Sequence, residues 1–178
     1  GTEKYLLIYG AQVENQSYAT SYIPTLTGTA QTRVAETCGG AGDDSSINSE
    51  EGVLYFEGSA LANGGVGDRA IFISDGSFSN SIQLIYHNTS NRINFRVTLN
   101  NSLDVNISDF TFNQEQVLKI ACKFSNNDFA LWINGVQRAT SLSGSTFATG
   151  TLNELFFSSG ATPFYGNTKD LRVYNTAL

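Results

Sequence analysis

Residues 117–138 alternate apolar and polar side chains, and no other stretch of the chain constrains the fold as tightly. Residues 125–128 separate two runs of this alternation, and their Asn and Asp side chains tolerate the left-handed backbone of a turn. A period of two predicts two β-strands, each with one buried face. Asn134-Gly135 then predicts a tight type I′ turn into a third strand at Val136. The positions predicted to face the core are Leu118, Ile120, Cys122, Phe124, Phe129, Leu131 and Ile133.

Short strands and frequent turns are predicted along the rest of the chain as well. From Glu51 onwards, apolar runs recur between turn signals at residues 63–65, 75–76, 88–91 and 100–101. The composition, with 40% hydrophobic and 12% aromatic residues, argues against disorder. No stretch has a convincing helical period. We therefore expect an all-β fold, an antiparallel two-sheet jelly-roll sandwich with at most one or two helical turns.

The charge and hydropathy of the chain narrow the classes of partner that it is expected to bind. The net charge of the chain is -6 and its pI is about 4.6, so a nucleic-acid backbone would be repelled on average. No apolar run reaches the roughly 20 residues of a membrane span. The sequence thus predicts neither nucleic-acid binding nor membrane insertion.

The two cysteines, Cys38 and Cys122, lie too far apart in the chain to form a metal-ligand motif. Cys122 falls on the apolar side of its predicted strand, so a buried free thiol is the favoured interpretation. A disulfide between Cys38 and Cys122 is the alternative.

The first 30 residues contain a separate sequence motif. The letters GAQVE…SYATSYIPT resemble the closing strand and tail of carbohydrate-binding jelly-roll modules in bacterial surface proteins and phage tail proteins. We therefore expect residues 1–30 to be the last strand of an upstream module with its linker, or an edge strand added to the next sheet. The sandwich itself is expected to span residues 31–178, within a longer multidomain chain.

Two phrases identify a family. Residues 130–135 read ALWING and follow a strand and a short turn; residues 164–166 read FYG and precede the closing phrase DLRVYNTAL at residues 170–178. Their order and separation resemble the laminin-G-like, or concanavalin A-like lectin/glucanase, jelly roll. The resemblance implies a concanavalin A-like sandwich. It leaves the activity open, because this fold hosts enzymes, lectins and adhesive modules.

A narrower resemblance suggests a biological setting. The letters TRVAETCGGAG…INSEEGVLYFE and RAIFISDG…NRINF are similar to receptor-binding or tail-fibre modules of phages. This implies a non-catalytic carbohydrate-binding or host-surface recognition module, extracellular or on the virion tail, with a cell-surface or extracellular glycan as its partner. One alternative is an accessory sugar-binding module of a secreted polysaccharide-degrading enzyme. Another is a structural spacer or homotrimerising domain of a fibre.

Catalytic motifs of this scaffold are not found in the sequence. Its glycoside hydrolases carry a Glu-x-Asp-x-x-Glu strand, whose alternate carboxylates face one cleft, and no such strand occurs here. The jelly-roll lyases use a Gln-x-His strand, which the one histidine, His87, does not match. The sequence therefore predicts that the protein is not an enzyme.

Candidate ligand-binding residues fall into three groups. Trp132 points away from the core because its neighbours are apolar, so it is either a sugar-stacking platform with Asn134 beside it or packed beneath a crossing loop. Arg92, Asn94 and Arg96 share one side of their strand, either as a solvated face or as a site for acidic sugars or hydroxyls. The loop aromatics Phe78, Phe164 and Tyr165 are either ligand contacts or plugs at the ends of the sandwich.

Calcium is common in the superfamily that the chain resembles, and it requires oxygen ligands. Asp43 and Asp44 in a glycine-rich loop, and Asp170 near the closing phrase, are the candidate ligands. The alternative is that these acids are ordinary loop residues.

Overall fold

The computed structural model describes residues 39–60, 67–88, 91–157 and 164–177, together with Val13, Tyr22 and Pro24. The chain divides into two compact units, Gly1–Glu36 and Thr37–Leu178. The predicted strand within residues 1–30 and the residue Cys38 lie outside the described residues, so the predicted domain boundary stays a prediction.

Ten strands and no helix occur in the described residues. The strands are β1 (Glu51–Ala60), β2 (Arg69–Ser74), β3 (Ser81–Tyr86), β4 (Ile93–Leu99), β5 (Ser102–Asp109), β6 (Leu118–Ser125), β7 (Phe129–Ile133), β8 (Val136–Ser141), β9 (Glu154–Phe156) and β10 (Gly166–Tyr174). None of the described segments forms a helix of the length and apolar character that a membrane crossing requires.

The strands form two five-stranded sheets in which every strand pair is antiparallel. We call the sheet with the order β10-β1-β6-β7-β8 the front sheet, and the sheet with the order β5-β4-β3-β2-β9 the back sheet. The predicted all-β, antiparallel two-sheet sandwich is confirmed.

The core lies between the sheets and is built by the period-two alternation of both. Phe56 of β1 is fully buried, and its ring meets Tyr86 of β3 and Phe164 edge to face, at centroid distances of 6.1 and 5.2 Å. Cys122 is a fully buried free thiol, as the alternation predicts, and burial raises its pKa. All seven positions predicted to face the core within residues 117–138 are buried.

Asparagines with left-handed backbone set the register of two hairpins. Asn134 and Gly135 have φ values of 52° and 79°, which confirms the predicted type I′ turn between β7 and β8. Asn100 and Asn101, with φ values of 50° and 64°, close the β4–β5 hairpin in the same way. Each two-residue turn fixes the pairing of the strand residues next to it, and in each hairpin a β-bulge then shifts the register by one residue.

A polar clamp joins the edge strands β5 and β8 of the two sheets. A β-bulge between Leu131 and Trp132 leaves Arg138 of β8 out of the pairing register. The Arg138 Nε donates to Asp109 Oδ2 at 3.0 Å, and its guanidinium lies 5.2 Å from the ring centre of Phe112. Burial alone would raise the pKa of Asp109, but hydrogen bonds from Thr111 and Arg138 lower it below its ordinary value of 3.8.

We expect the substitution Asp109→Asn to lower the free energy of unfolding by about 2 kcal/mol at neutral pH, because it removes a charge-assisted hydrogen bond. A carboxyl with a depressed pKa stabilises the fold above its unfolded pKa and loses that contribution as the pH falls through the folded pKa. The difference between wild type and variant should therefore shrink as the pH falls below the ordinary value of 3.8, and it should vanish below the lower pKa of the folded state. Urea denaturation at neutral and strongly acidic pH measures this. A difference that is equal at both pH values would contradict the clamp.

Candidate functional site

One row of side chains crosses the outer face of the front sheet. In the pairing register, Tyr55 of β1 lies opposite Ala121 of β6, and Ala121 lies opposite Trp132 of β7. The same row ends at Arg172 of β10 on one side and Gln137 of β8 on the other. We call these five residues the aromatic row. The neighbours of Tyr55, Ala121 and Trp132 along each strand are buried in the core, so these three side chains face away from it. Arg172 and Gln137 share that face because they are paired with Tyr55 and Trp132.

The two aromatic rings of the row are separated by the smallest side chain in it. Paired strands lie about 4.8 Å apart, so Tyr55 and Trp132 stand about 10 Å apart across Ala121. Trp132 is 37% exposed, and both Tyr55 and Ala121 stay partly exposed. Because Ala121 is partly exposed, the two rings do not cover it completely. The row therefore has a shallow surface between two aromatic side chains.

Fixed polar groups border the aromatic row on the β10 side. The Tyr55 hydroxyl donates to Glu57 at 3.3 Å, and the other carboxylate oxygen of Glu57 contacts Lys169 Nζ at 3.1 Å. Arg172 contacts the Asp170 carboxylate at 2.7 Å. The hydrogen bond from Lys169 lowers the pKa of Glu57. Glu57 and Asp170 are therefore each held beside a cation, Lys169 and Arg172.

Asn134 contributes to the sheet rather than projecting freely beside Trp132. Its backbone N–H donates to the Lys119 carbonyl at 2.8 Å, and its side-chain oxygen accepts from the Lys119 N–H at 3.0 Å. The amide oxygen of Asn134 thus extends the β6–β7 ladder past the turn. A ligand contact through the remaining amide N–H₂ group stays a prediction.

The residues Arg92, Asn94 and Arg96 lie on the outer face of the back sheet, so the structure does not bring them together with Trp132. Arg92 and Arg96 are partly exposed, whereas Asn94 is fully buried. The interpretation of this stripe as a solvated face is therefore wrong for Asn94. The strand alternation predicted its direction correctly, but it could not predict its burial.

The loop aromatics have separate roles. Phe78 is 50% exposed, and its ring packs edge-on against Phe72 at 5.2 Å, next to a small apolar cluster on the outer face of the back sheet. Phe164 fills the end of the sandwich against Phe56, whereas the adjacent Tyr165 is 43% exposed. The plug interpretation therefore fits Phe164, and ligand contacts by Phe78 and Tyr165 stay predictions.

Two of the three acidic candidates for calcium, Asp43 and Asp170, are already engaged by the protein. The Asp43 carboxylate accepts hydrogen bonds from the backbone and hydroxyl groups of Ser45 and from the backbone N–H of Ser46, and the bonds to these two serines lower its pKa. Asp170 is paired with Arg172. Over the part of the chain that the structure describes, no three or more His, Cys, Asp or Glu side chains converge on a point. Binding of calcium by Asp43, Asp44 and Asp170 stays a prediction.

Of the two aromatic residues in the row, sequence reasoning found Trp132 and missed Tyr55. Its alternation with Leu54 and Phe56 places it on the outer face, but this is true of many strand residues. Its importance comes from the pairing of β1 with β6, which joins positions more than sixty residues apart. Nothing local in the sequence specifies that pairing.

Comparisons with known proteins agree on the family and the fold. A family model described as the concanavalin A-like lectin/glucanases superfamily matches residues 61–178. No curated protein sequence gives a match.

Three solved structures illustrate the structural likeness. A CBM40 of the Ruminococcus gnavus IT-sialidase, bound to alpha2,3 sialyllactose, is 17% identical with a TM-score of 0.58, over 81% of this chain and 92% of that one. The carbohydrate-binding module CBM66 from Bacillus subtilis is 10% identical with a TM-score of 0.53, over 72% and 78%. A heptameric SAP-like pentraxin from Limulus polyphemus is 14% identical with a TM-score of 0.58, over 79% and 70%. At these identities the likeness concerns the fold alone.

Proposed function

Because the chain belongs to the concanavalin A-like lectin/glucanases superfamily, we propose that it is a non-catalytic carbohydrate-binding module whose aromatic row holds a sugar ring. The proposal rests on one observation. Strand pairing places Tyr55 and Trp132 on either side of the partly exposed Ala121. The superfamily alone does not assign a function, since its fold also hosts enzymes.

The chemistry of the row suits an uncharged sugar. The C–H face of a pyranose packs against an indole or phenol ring, and hydroxyl groups require fixed donors and acceptors at its rim. Trp132 and Tyr55 supply the aromatic faces, while Arg172 and Gln137 end the row with polar groups. Arg172 is already paired with Asp170, so its charge does not call for an anionic ligand. The similar structures include carbohydrate-binding modules, which supports a sugar as the ligand of the row but does not bear on its charge.

The carboxylates beside the row support a binding role over hydrolysis. Glycoside hydrolysis requires an acid with a raised pKa and a second carboxylate that faces the same bond. The pKa of Glu57 is lowered by Lys169, and Asp170 is held by Arg172. The lowered pKa of Glu57 is the opposite of what a general acid needs, and Asp170 is committed to an ion pair.

The setting of the module is proposed from the sequence phrases that resemble receptor-binding and tail-fibre modules. We place it in a phage tail or bacterial surface protein, where it recognises a host or extracellular glycan. An accessory module of a polysaccharide-degrading enzyme would use the same row, whereas a fibre spacer would need no ligand.

A glycan array with the purified chain, with and without EDTA, tests the proposal. We expect binding to uncharged glycans that persists in EDTA, since the proposed contacts are aromatic faces and polar side chains. Absence of binding to every glycan, together with a stable trimer in analytical ultracentrifugation, would favour the spacer role. Release of smaller saccharides from a bound polysaccharide would contradict the non-catalytic proposal.

A further inference from the structure

Two arginines on the outer face of the back sheet have no acidic partner within the part of the chain that the structure describes. Arg138 and Arg172 each contact a carboxylate, whereas Arg92 and Arg96 form no ion pair with any described residue. They lie four positions apart on the same side of β4 and the residue before it, in a chain whose net charge is -6. An uncompensated pair of cations on an acidic protein marks a local site for an anion.

The partners of these arginines are neutral and use little of their hydrogen-bonding capacity. Arg96 Nε donates to Asn106 Oδ1 at 3.3 Å, and Arg92 Nη2 donates to Ser108 Oγ at 3.4 Å. The Arg92 guanidinium also lies 5.3 Å from the ring centre of Phe110. A guanidinium carries five N–H donors in a planar fork, which matches the two oxygens of a carboxylate. Donors of both side chains therefore stay open to an anionic ligand.

Asn94, which lies between the two arginines, adds the requirement for a hydrogen-bond donor. It is fully buried, and its Nδ2 donates to Asn106 Oδ1 at 3.0 Å, the atom that also accepts from Arg96. Its own side-chain oxygen, Oδ1, is buried and has no hydrogen-bond partner, and the same holds for the Nε donor of Arg92. Native proteins seldom leave buried polar atoms unpaired, so a donor for Asn94 and an acceptor for Arg92 are missing.

A single ligand class supplies both missing groups. A carboxylate accepts from arginine N–H groups, whereas the Asn94 oxygen needs a donor such as a hydroxyl. We infer that Arg92, Asn94, Arg96 and Asn106 form a second site, on the back sheet, for a carboxylate-bearing sugar. This site lies on the opposite sheet from the aromatic row and does not depend on it.

Backbone amide chemical shifts of the protein, followed by NMR during titration with glucuronate, sialic acid and uncharged glucose, test this inference. We expect the two acidic sugars, but not glucose, to shift amides of β4 and β5. The affinity should fall as salt is raised, because the contact is ionic and partly exposed.

Substitutions then test which positively charged side chain binds the acidic sugars. Arg96→Gln should weaken binding of the acidic sugars at least about tenfold, and Arg96→Lys should restore little of it because an ammonium lacks the planar fork. Lys119→Gln removes the same charge from the front sheet and should change nothing. Trp132→Ala should also leave this binding intact, which separates failure of this site from failure of the aromatic row. Shifts confined to the front sheet, equal shifts with glucose, or no shifts at β4 and β5 would overturn the inference.

Discussion

Replacing Phe56 by alanine is expected to lower the free energy of unfolding by about 3–5 kcal/mol. The side chain is fully buried and lies where β1, β3 and the segment before β10 meet, in edge-to-face contact with Tyr86 and Phe164. Its loss leaves a cavity that rigid strands on both sides cannot close. For a protein of this size, the melting temperature should fall by roughly 6–20 °C.

The matched control for this substitution is Phe110→Ala. Phe110 is 63% exposed and contacts the Arg92 guanidinium, so its truncation should cost less than about 1 kcal/mol. Thermal and urea denaturation of both variants give the comparison. Equal losses of stability would mean that Phe56 is not enclosed between the sheets, which would contradict the sandwich described above.

Replacing Trp132 by alanine is expected to raise the dissociation constant for an uncharged glycan that binds on the array by about 30-fold or more. This is the loss of affinity typical of an aromatic hot-spot residue. Tyr55→Ala should weaken the same binding. If one sugar ring contacts both side chains, the two effects should be non-additive in a double-mutant cycle, with a coupling of about 0.5 kcal/mol or more. Isothermal titration calorimetry measures all four members of the cycle.

Leu142→Ala serves as the control for the binding experiment, because Leu142 is an exposed apolar residue that follows the end of β8. It should bind the glycan like the wild type. Trp132→Ala should retain a cooperative thermal transition, since its side chain faces away from the core. Full affinity in the folded Trp132→Ala variant would remove the residue from the site.

The local part of the fold follows from the sequence. In residues 117–138, alternation specifies which side chains are buried. Asn134-Gly135 specifies a two-residue turn, which fixes the pairing of β7 with β8 up to the β-bulge between Leu131 and Trp132. The outward direction of Trp132 is therefore predictable from Leu131 and Ile133 alone.

The site itself depends on contacts that the sequence does not encode locally. The aromatic row exists because β6 pairs with β1 as well as with β7, and this pairing depends on the arrangement of all ten strands. For the same reason, the outward direction of Asn94 could be predicted but its complete burial could not. The role of Asn134 is also non-local, since its side chain takes the place of a backbone acceptor for Lys119.

Trp132 is the one tryptophan in the chain, so intrinsic fluorescence reports directly on the aromatic row. The most direct test is a fluorescence titration of the wild-type chain with the best uncharged glycan from the array, alongside a non-binding sugar. A ring that stacks on the indole should produce a saturable change in emission, with the same dissociation constant as calorimetry. Saturable binding by calorimetry with unchanged tryptophan emission would contradict the proposal that the sugar lies on the aromatic row.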